Sequence, residues 1–473
     1  MQILKNLLYN IFYQIFILLV PIVTTPYLAR VIGPTGVGIN SYTNATIQYF
    51  ILFGSIGINL YGNRQVAFVR NNPELLTQTF YEIYILRIIS ITLAYLAFLI
   101  FLLFTNRFQV YYWAQSVSLI AAAFDISWFF MGVENFAVTV LRNFIVKIIT
   151  VISILTLVRS YADLTLYIFI LSISLLIGNL TLFPNLKSYI GKPNLKSMNI
   201  FQHIKPAVIL FIPQIATQIY LVLNKSMIGL ISSVQAAGYF DQSDKIVKIT
   251  LAIVTATGTV MLPHVANAFA NGEYQKTKNY LYKSFSFVSA ISIPMFFGLL
   301  AIADKFIPLF LTTKFNEVIP IIMIESVVIW LIAWSNAIGT QYLLPTNQSK
   351  AYSISVTLGA AINLLCNIPL IVLWGALGAS IATVISEATV TSYQLWAIRR
   401  QVDFHKLFFE TYKYCLSGLL MFIVVIYINK LLSSSWLILI MEIIIGIIVY
   451  VISLFILRAS IFSNLKELIS VQK

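Results

Sequence analysis

Apolar residues run along this chain in stretches of twenty or more, separated by short polar segments. Neither the two-residue alternation of a strand nor the single stripe of a surface helix organises them. A helix rises ~1.5 Å per residue, so about twenty apolar residues cross the ~30 Å hydrocarbon layer of a membrane. The pattern predicts helices at 7–28, 38–61, 80–104, 110–132, 136–158, 164–186, 206–231, 243–266, 281–303, 319–343, 351–374, 376–398, 407–429 and 436–457. The expected fold class is all-α, a polytopic membrane protein of about fourteen transmembrane helices.

A weak internal repeat refines that picture. Phe16-Ile-Leu-Leu-Val-Pro21-Ile-Val-Thr-Thr25 resembles Val208-Ile-Leu-Phe-Ile-Pro213-Gln-Ile-Ala-Thr217, and Gly36-Val-Gly38 loosely echoes Ala236-Ala-Gly238. The copies are six spans apart and share one orientation, which is the organisation of parallel-repeat transporters. Two six-helix lobes are expected, at 1–186 and 206–398, joined by a cytoplasmic linker at 187–205. Residues 399–473 then form two appended helices and a tail.

Composition agrees with the pattern, since 59% of the 473 residues are hydrophobic and 10% charged. A soluble domain carries nearer a quarter charged. The net charge of +14 would suit nucleic acid only if the bases clustered on a soluble surface; no soluble segment is long enough, so no nucleic-acid partner is expected. With the N-terminus in the cytoplasm, seventeen of the thirty Lys and Arg residues fall in cytoplasmic segments. Six fall outside: Arg30, Arg107, Arg159, Lys305, Lys314 and Lys430. Short cytoplasmic loops of membrane proteins collect bases in this way, so both termini are expected in the cytoplasm. Met1 to Lys5 lead straight into an apolar run without a small-residue cleavage motif, which reads as a retained first helix.

Seven bases remain inside or at the edges of spans: Arg87, Arg142, Lys147, Lys225, Lys245, Lys248 and Lys413. A charge in hydrocarbon is costly and normally faces a cavity or a partner. Snorkelling to the headgroups is the bland reading for Arg87, and interfacial anchoring for Arg142; Lys147 is the better cavity candidate. Asp241 with Lys245, and Asp244 with Lys248, have i,i+4 spacing with the acid first, so local ion pairing competes there with ligand binding. Asp125, Glu325, Glu387 and Glu442 lie within spans, with Glu82 and Glu410 nearer the ends; each can pair with a base or take a proton. Asp125 stands out because Arg87 lies in the neighbouring span.

Amides occupy the same helices, among them Gln14, Asn40, Asn44, Gln214, Asn336 and Gln341, with Tyr220. They suit either hydroxyl recognition or helix-to-helix bonding. Pro21, Pro26 and Pro213 are candidate gating positions, since proline breaks or bends a helix. Three histidines, no HExxH, no Walker loop and no GxSxG give no support for an enzyme. Cys366 and Cys415 lie in apolar runs without metal spacing, so neither a metal nor a cofactor is expected.

Four segments carry a family resemblance: Thr25-Pro-Tyr-Leu-Ala-Arg30-Val-Ile-Gly33-Pro34, Tyr61-Gly62-Asn-Arg64-Gln-Val-Ala67, Asn224-Lys225-Ser-Met227-Ile-Gly229, and Gly238-Tyr239 followed by Lys245-Ile-Val-Lys248-Ile. The chain resembles the Wzx-type polysaccharide flippases of the multidrug/oligosaccharidyl-lipid/polysaccharide exporter superfamily. Asn224 stands where such sequences commonly carry an acid before the lysine. The resemblance implies two six-helix lobes around a central basic cavity and movement of an undecaprenyl-diphosphate-linked oligosaccharide between leaflets. It further implies residence in the cytoplasmic membrane among its lipids and work alongside other polysaccharide-assembly proteins.

Arg30 and Arg64 match recurrent arginines of that family. Together with Arg87, Lys147, Lys225, Lys245 and Lys248 they are the expected bases for a diphosphate. Asp125, Asp241, Asp244, Glu325 and Glu387 are the expected ion-pair or proton sites. An ion-coupled multidrug exporter is the alternative within transport. A membrane glycosyltransferase or polymerase is the alternative outside it, and short loops without paired carboxylates disfavour that reading.

Overall fold

The computed structural model describes residues 2–194, 196 and 198–461, with side chains at 2–15, 212–217, 219–221 and 256–260 left out of the description. Pro213, Gln214, Gln14 and Tyr220 therefore lie outside the described side chains. Among the described residues the regular structure is helical throughout. The chain divides into two compact units, 1–230 and 231–473.

In the first unit α1 (Gln2–Val31) is followed by α2 (Gly33–Ser55), α3 (Ile58–Val69), α4 (Pro73–Leu103), α5 (Gln109–Ala123) and α6 (Ser127–Gly132). Then come α7 (Phe136–Leu157), α8 (Leu164–Leu180), α9 (Phe183–Leu186) and α10 (Ile204–Ile231). α1 stays helical through Pro21 and Pro26. The sharp change of direction, 119°, comes instead between Phe16–Val31 and Gly33–Val69, where Gly33 takes a φ of +64°, a left-handed conformation that glycine enters without steric cost. A cap starts α4: the Asn72 side chain accepts from the backbone N–H groups of Glu74 and Leu75 at 3.1 and 3.2 Å, with Pro73 in the first turn.

α2 packs on α4 and α5, α5 on α8, and α7 on α1 and α8. A buried cluster of Tyr61, Phe80, Trp128, Phe129 and Phe130 fills the space where α3, α4 and α6 meet. The contact boundary keeps α10 with this unit, so it differs by one helix from the sequence-based division at 206.

The second unit comprises α11 (Val234–Ala270), α12 (Tyr274–Phe310), α13 (Val318–Glu325), α14 (Val327–Ser335), a π-helical turn Asn336–Leu343, α15 (Ser349–Ile398), α16 (Phe404–Phe408), α17 (Thr411–Leu431) and α18 (Trp436–Ile456). At ~1.5 Å per residue α15 is far too long for one crossing, and it breaks at Gly375, where φ is 57° and ψ −128°. The two arms fold back on each other: Gln394 donates to Ser355 at 3.0 Å and Ser386 to the Gly359 carbonyl at 2.7 Å. Gly378 sits against the Leu370 carbonyl with no room for a Cβ, which explains the small residues around the turn.

Among the described residues nine helices are long and apolar enough to cross a membrane, and the bent pair at α1 to α3 is a tenth candidate. α15 is counted once in those nine although its break makes two arms. The protein is a multi-pass helical membrane protein. Large apolar side chains face outward along its helices, for example Leu365, Val372, Ile447 and Phe455, as lipid-facing surfaces require.

Candidate functional site

The bases expected to meet an anion sit in contrasting settings. Arg30, near the end of α1, is exposed and donates to the Pro26 carbonyl at 2.8 Å. Arg64 on α3 is exposed, with its guanidinium 5.7 Å from the Phe68 ring centre. Lys147 is exposed on α7. Among the described residues neither Arg64 nor Lys147 has a carboxylate within ion-pair distance. The neighbouring Arg142 donates to Asn179 at 2.8 Å, so the interfacial base is tied down while Lys147 is not. Lys225 on α10 is half-buried.

Arg87 is different. It is 1% exposed and its guanidinium is held on three sides: Nε donates to the Ala122 carbonyl at 2.6 Å, Nη1 to Asn59 Oδ1 at 2.6 Å, and Nη2 faces Asp125 Oδ2 at 3.5 Å. Asp125 lies in the break between α5 and α6, where its Oδ1 accepts from the Ser127 N–H at 3.0 Å. The snorkelling reading fails for this residue, because the side chain ends on protein groups rather than at a headgroup. Arg87 fixes α4 to α3 and to the α5–α6 break, and so positions the surface that carries Arg64.

On α11 both acid-first pairs are formed. Lys245 meets Asp241 at 2.5 Å and Lys248 meets Asp244 at 2.8 Å. Glu325, buried, accepts from Ser243 on α11, which holds α13 to that helix. Glu387 is buried in the second arm of α15. Of the amides, Gln115 on α5 donates to Asn40 on α2 at 3.2 Å and Gln341 accepts from Ser284 on α12, whereas Asn336 accepts from Gln341 at 3.0 Å within the π-helical turn.

Two buried clusters escaped the sequence reading. Glu82 on α4 accepts from the Asn199 N–H at 2.8 Å, from Gln78 at 3.0 Å and from Gln202 at 2.8 Å, and it lies 2.7 Å from His203 Nε2. His203 Nδ1 is 2.6 Å from the Tyr61 hydroxyl. The segment before α10 is thereby clasped to α3 and α4.

The second cluster is the ion pair of Lys305 and Glu442, at 2.6 Å between α12 and α18. Lys305 was expected in an outward segment. It is instead 5% exposed within α12, because the helix continues to Phe310 and a partner on α18 makes the buried charge tolerable. Glu410 and Lys413 pair at 3.0 Å. Among the described residues no group of three or more His, Cys, Asp or Glu side chains could hold a metal.

Comparison with known proteins places these features in context. The model of a family described as polysaccharide biosynthesis protein matches residues 3–269. A candidate O-antigen transporter of Escherichia coli (strain K12) is 24% identical over 400 residues, covering 84% of this chain and 96% of that protein. The structure of the lipid II flippase MurJ in an inward closed conformation superposes with a TM-score of 0.76 at 17% identity, over 98% of this chain and 100% of that one. An inward-facing multidrug resistance MATE family transporter of the MOP superfamily gives 0.62 at 13% identity, over 80% and 94%. Both structural likenesses speak to the fold.

Proposed function

The chain belongs to the polysaccharide biosynthesis protein family, and from that premise we propose that it flips a lipid-linked oligosaccharide across the cytoplasmic membrane for polysaccharide assembly. The observation that carries this reading is the family match over 3–269 together with a full-length MurJ-like fold. The cargo proposed is an undecaprenyl-diphosphate-linked repeat unit, moved from the cytoplasmic to the outer leaflet without chemical change. Membrane lipids surround it throughout, and other polysaccharide-assembly proteins are its proposed partners.

The chemistry of the residues supports an anionic headgroup. Arg30, Arg64 and Lys147 are exposed bases on helices of the first unit, and Lys225 is a further base on α10. Arginine engages diphosphate oxygens through its planar fork, and lysine as a point charge. Lys245 and Lys248, already neutralised by Asp241 and Asp244, contribute less in this account, and Arg87 acts by holding the helix that carries Arg64. Asp125, Glu325 and Glu387 serve as pairing or packing groups, while Pro21, Pro26 and Pro213 remain the proposed points of flexure in α1 and α10.

Moving negative charge outward is favoured by an inside-negative potential, by about 2.3 kcal/mol per charge per 100 mV. The multidrug-exporter reading has less support, since its structural likeness is lower and covers less of the chain. The test is complementation of a strain lacking its own flippase. Restored surface polysaccharide, with loss of the lipid-linked intermediates that accumulate on the cytoplasmic side, is expected; unchanged accumulation at normal protein levels would overturn the reading.

A further inference from the structure

Glu442 is fully buried, and its two carboxylate oxygens are unlike. Oε1 accepts from Lys305 Nζ at 2.6 Å, whereas Oε2 is buried without a hydrogen-bond partner among the described residues. Two other buried acids, Glu410 and Glu82, bond through both oxygens. Glu410 accepts from Lys413 at Oε1 and from the Ser460 N–H at Oε2, both at 3.0 Å. Glu82 accepts on both oxygens, from Gln78, Asn199 and Gln202. Those acids have the bonding of structural ties; Glu442 has half of it.

The setting adds a second observation. Glu442 lines an apolar cavity of about 450 Å³ shared with Thr250, Gly298, Met421, Gly446 and Tyr450. None of the polar neighbours caps Oε2, since the Tyr450 hydroxyl donates to the Ala290 carbonyl at 2.8 Å. A buried ion pair is weak support for stability, because an apolar pair of similar volume often serves as well. An ionisable pair inside a span points instead to an ion or proton path.

We propose that Glu442 and Lys305 form an intramembrane proton-exchange site. Glu442 takes one proton at Oε2, the oxygen facing no donor, while Lys305 holds the deprotonated form through Oε1. The proton comes from hydronium, whose O–H bond breaks as the Glu442 O–H bond forms and which leaves as water, and Lys305 keeps its three protons. The pair therefore changes from net zero to one positive charge, and the ion-pair tie between α12 and α18 weakens beside the cavity. Asp304, exposed and next to Lys305 in the chain, accepts from Asn429 at 3.1 Å.

Other charged or titratable groups on these and the packed elements are Tyr274, Lys276, Lys278, Tyr280, Tyr282, Lys283 and Asp304 on α12, Tyr412, Lys413, Tyr414, Cys415, Tyr427 and Lys430 on α17, Tyr450 on α18, Tyr239, His264 and the two acid–lysine pairs on α11, Lys314 after α12, Glu325 on α13, Tyr342 in the π-helical turn, and His405 and Lys406 on α16. Tyr414 is bonded to Ser286 and Glu325 to Ser243. The use of the site in transport rests on the flippase reading; the protonation does not.

Infrared difference spectra of the purified full chain in lipid nanodiscs, recorded during acid titration, read the protonation without any cargo. Wild type should show a protonated-carboxyl stretching band that is absent from Glu442→Gln and retained in Glu410→Gln. The double variant Lys305→Met with Glu442→Met keeps an apolar pair of similar size and should also lose the band, so a poorly folded single variant does not decide the matter. Superimposable titrations of wild type and the double variant would overturn the proposal. A lost band with unaltered flipping would leave the proton site standing and sever it from transport.

Discussion

Arg87 and Arg64 belong to the same unit and to opposite chemical situations. Arg87 spends its donors on Ala122, Asn59 and Asp125, and a hydrogen bond to a charged group is worth ~1.5–3 kcal/mol. Arg87→Ala should therefore lower the thermal midpoint of the detergent-purified protein, by a stability loss on the order of 2–3 kcal/mol. Arg64→Ala, at an exposed position, should leave stability within about 0.5 kcal/mol and reduce export. Equal midpoints for the two variants would contradict this division. The Arg87–Asp125 pair was readable in the sequence, since an intramembrane base with an acid in the next span invites it. The α11 pairs were readable from their spacing. Lys305 with Glu442 was not, because the partners are 137 residues apart and an apolar run ending at 303 put Lys305 outside the helix.

At the scale of elements, the linker ahead of α10 is more than a tether. Glu82, His203 and Tyr61 clasp it to α3 and α4 over separations of up to 142 residues, which no local pattern encodes. Glu82→Ala removes the acceptor for three donors, so limited proteolysis within 187–205 should become faster while Gln78→Ala changes it little; equal cleavage rates would remove the clasp from the account. The helical hairpin of α15 makes a second element-scale prediction. The backbone approach at Gly378 leaves no space for a side chain, so Gly378→Val should abolish a monodisperse size-exclusion peak, and Val372→Ala, exposed on the same helix, should preserve it. The separate apolar spans 351–374 and 376–398 placed that break in the sequence. α1 is helical through Pro21 and Pro26, and the sharp turn of the chain comes at Gly33, where the left-handed backbone conformation lies.

The whole molecule is a multi-pass helical membrane protein whose helices follow the apolar runs of the sequence, and whose fold matches a MurJ structure over 98% of this chain and 100% of that one. The proposed topology of fourteen spans puts both termini and the 187–205 linker in the cytoplasm. Cysteines introduced at Ser160 and Ser188 should then differ in labelling by an impermeant thiol reagent on intact cells, Ser160→Cys reacting and Ser188→Cys reacting only after lysis, both in a background with Cys366 and Cys415 replaced. Reversed labelling would invert the topology.

The central claim is translocation itself. Purified protein reconstituted into liposomes with a fluorescent polyprenyl-diphosphate oligosaccharide, probed by a membrane-impermeant quencher or glycosidase, measures it directly. The account predicts that the protected fraction becomes accessible with wild-type protein, and much more slowly with an Arg30→Ala, Arg64→Ala double variant. A protected fraction that stays as slow to exchange as in protein-free vesicles would contradict it.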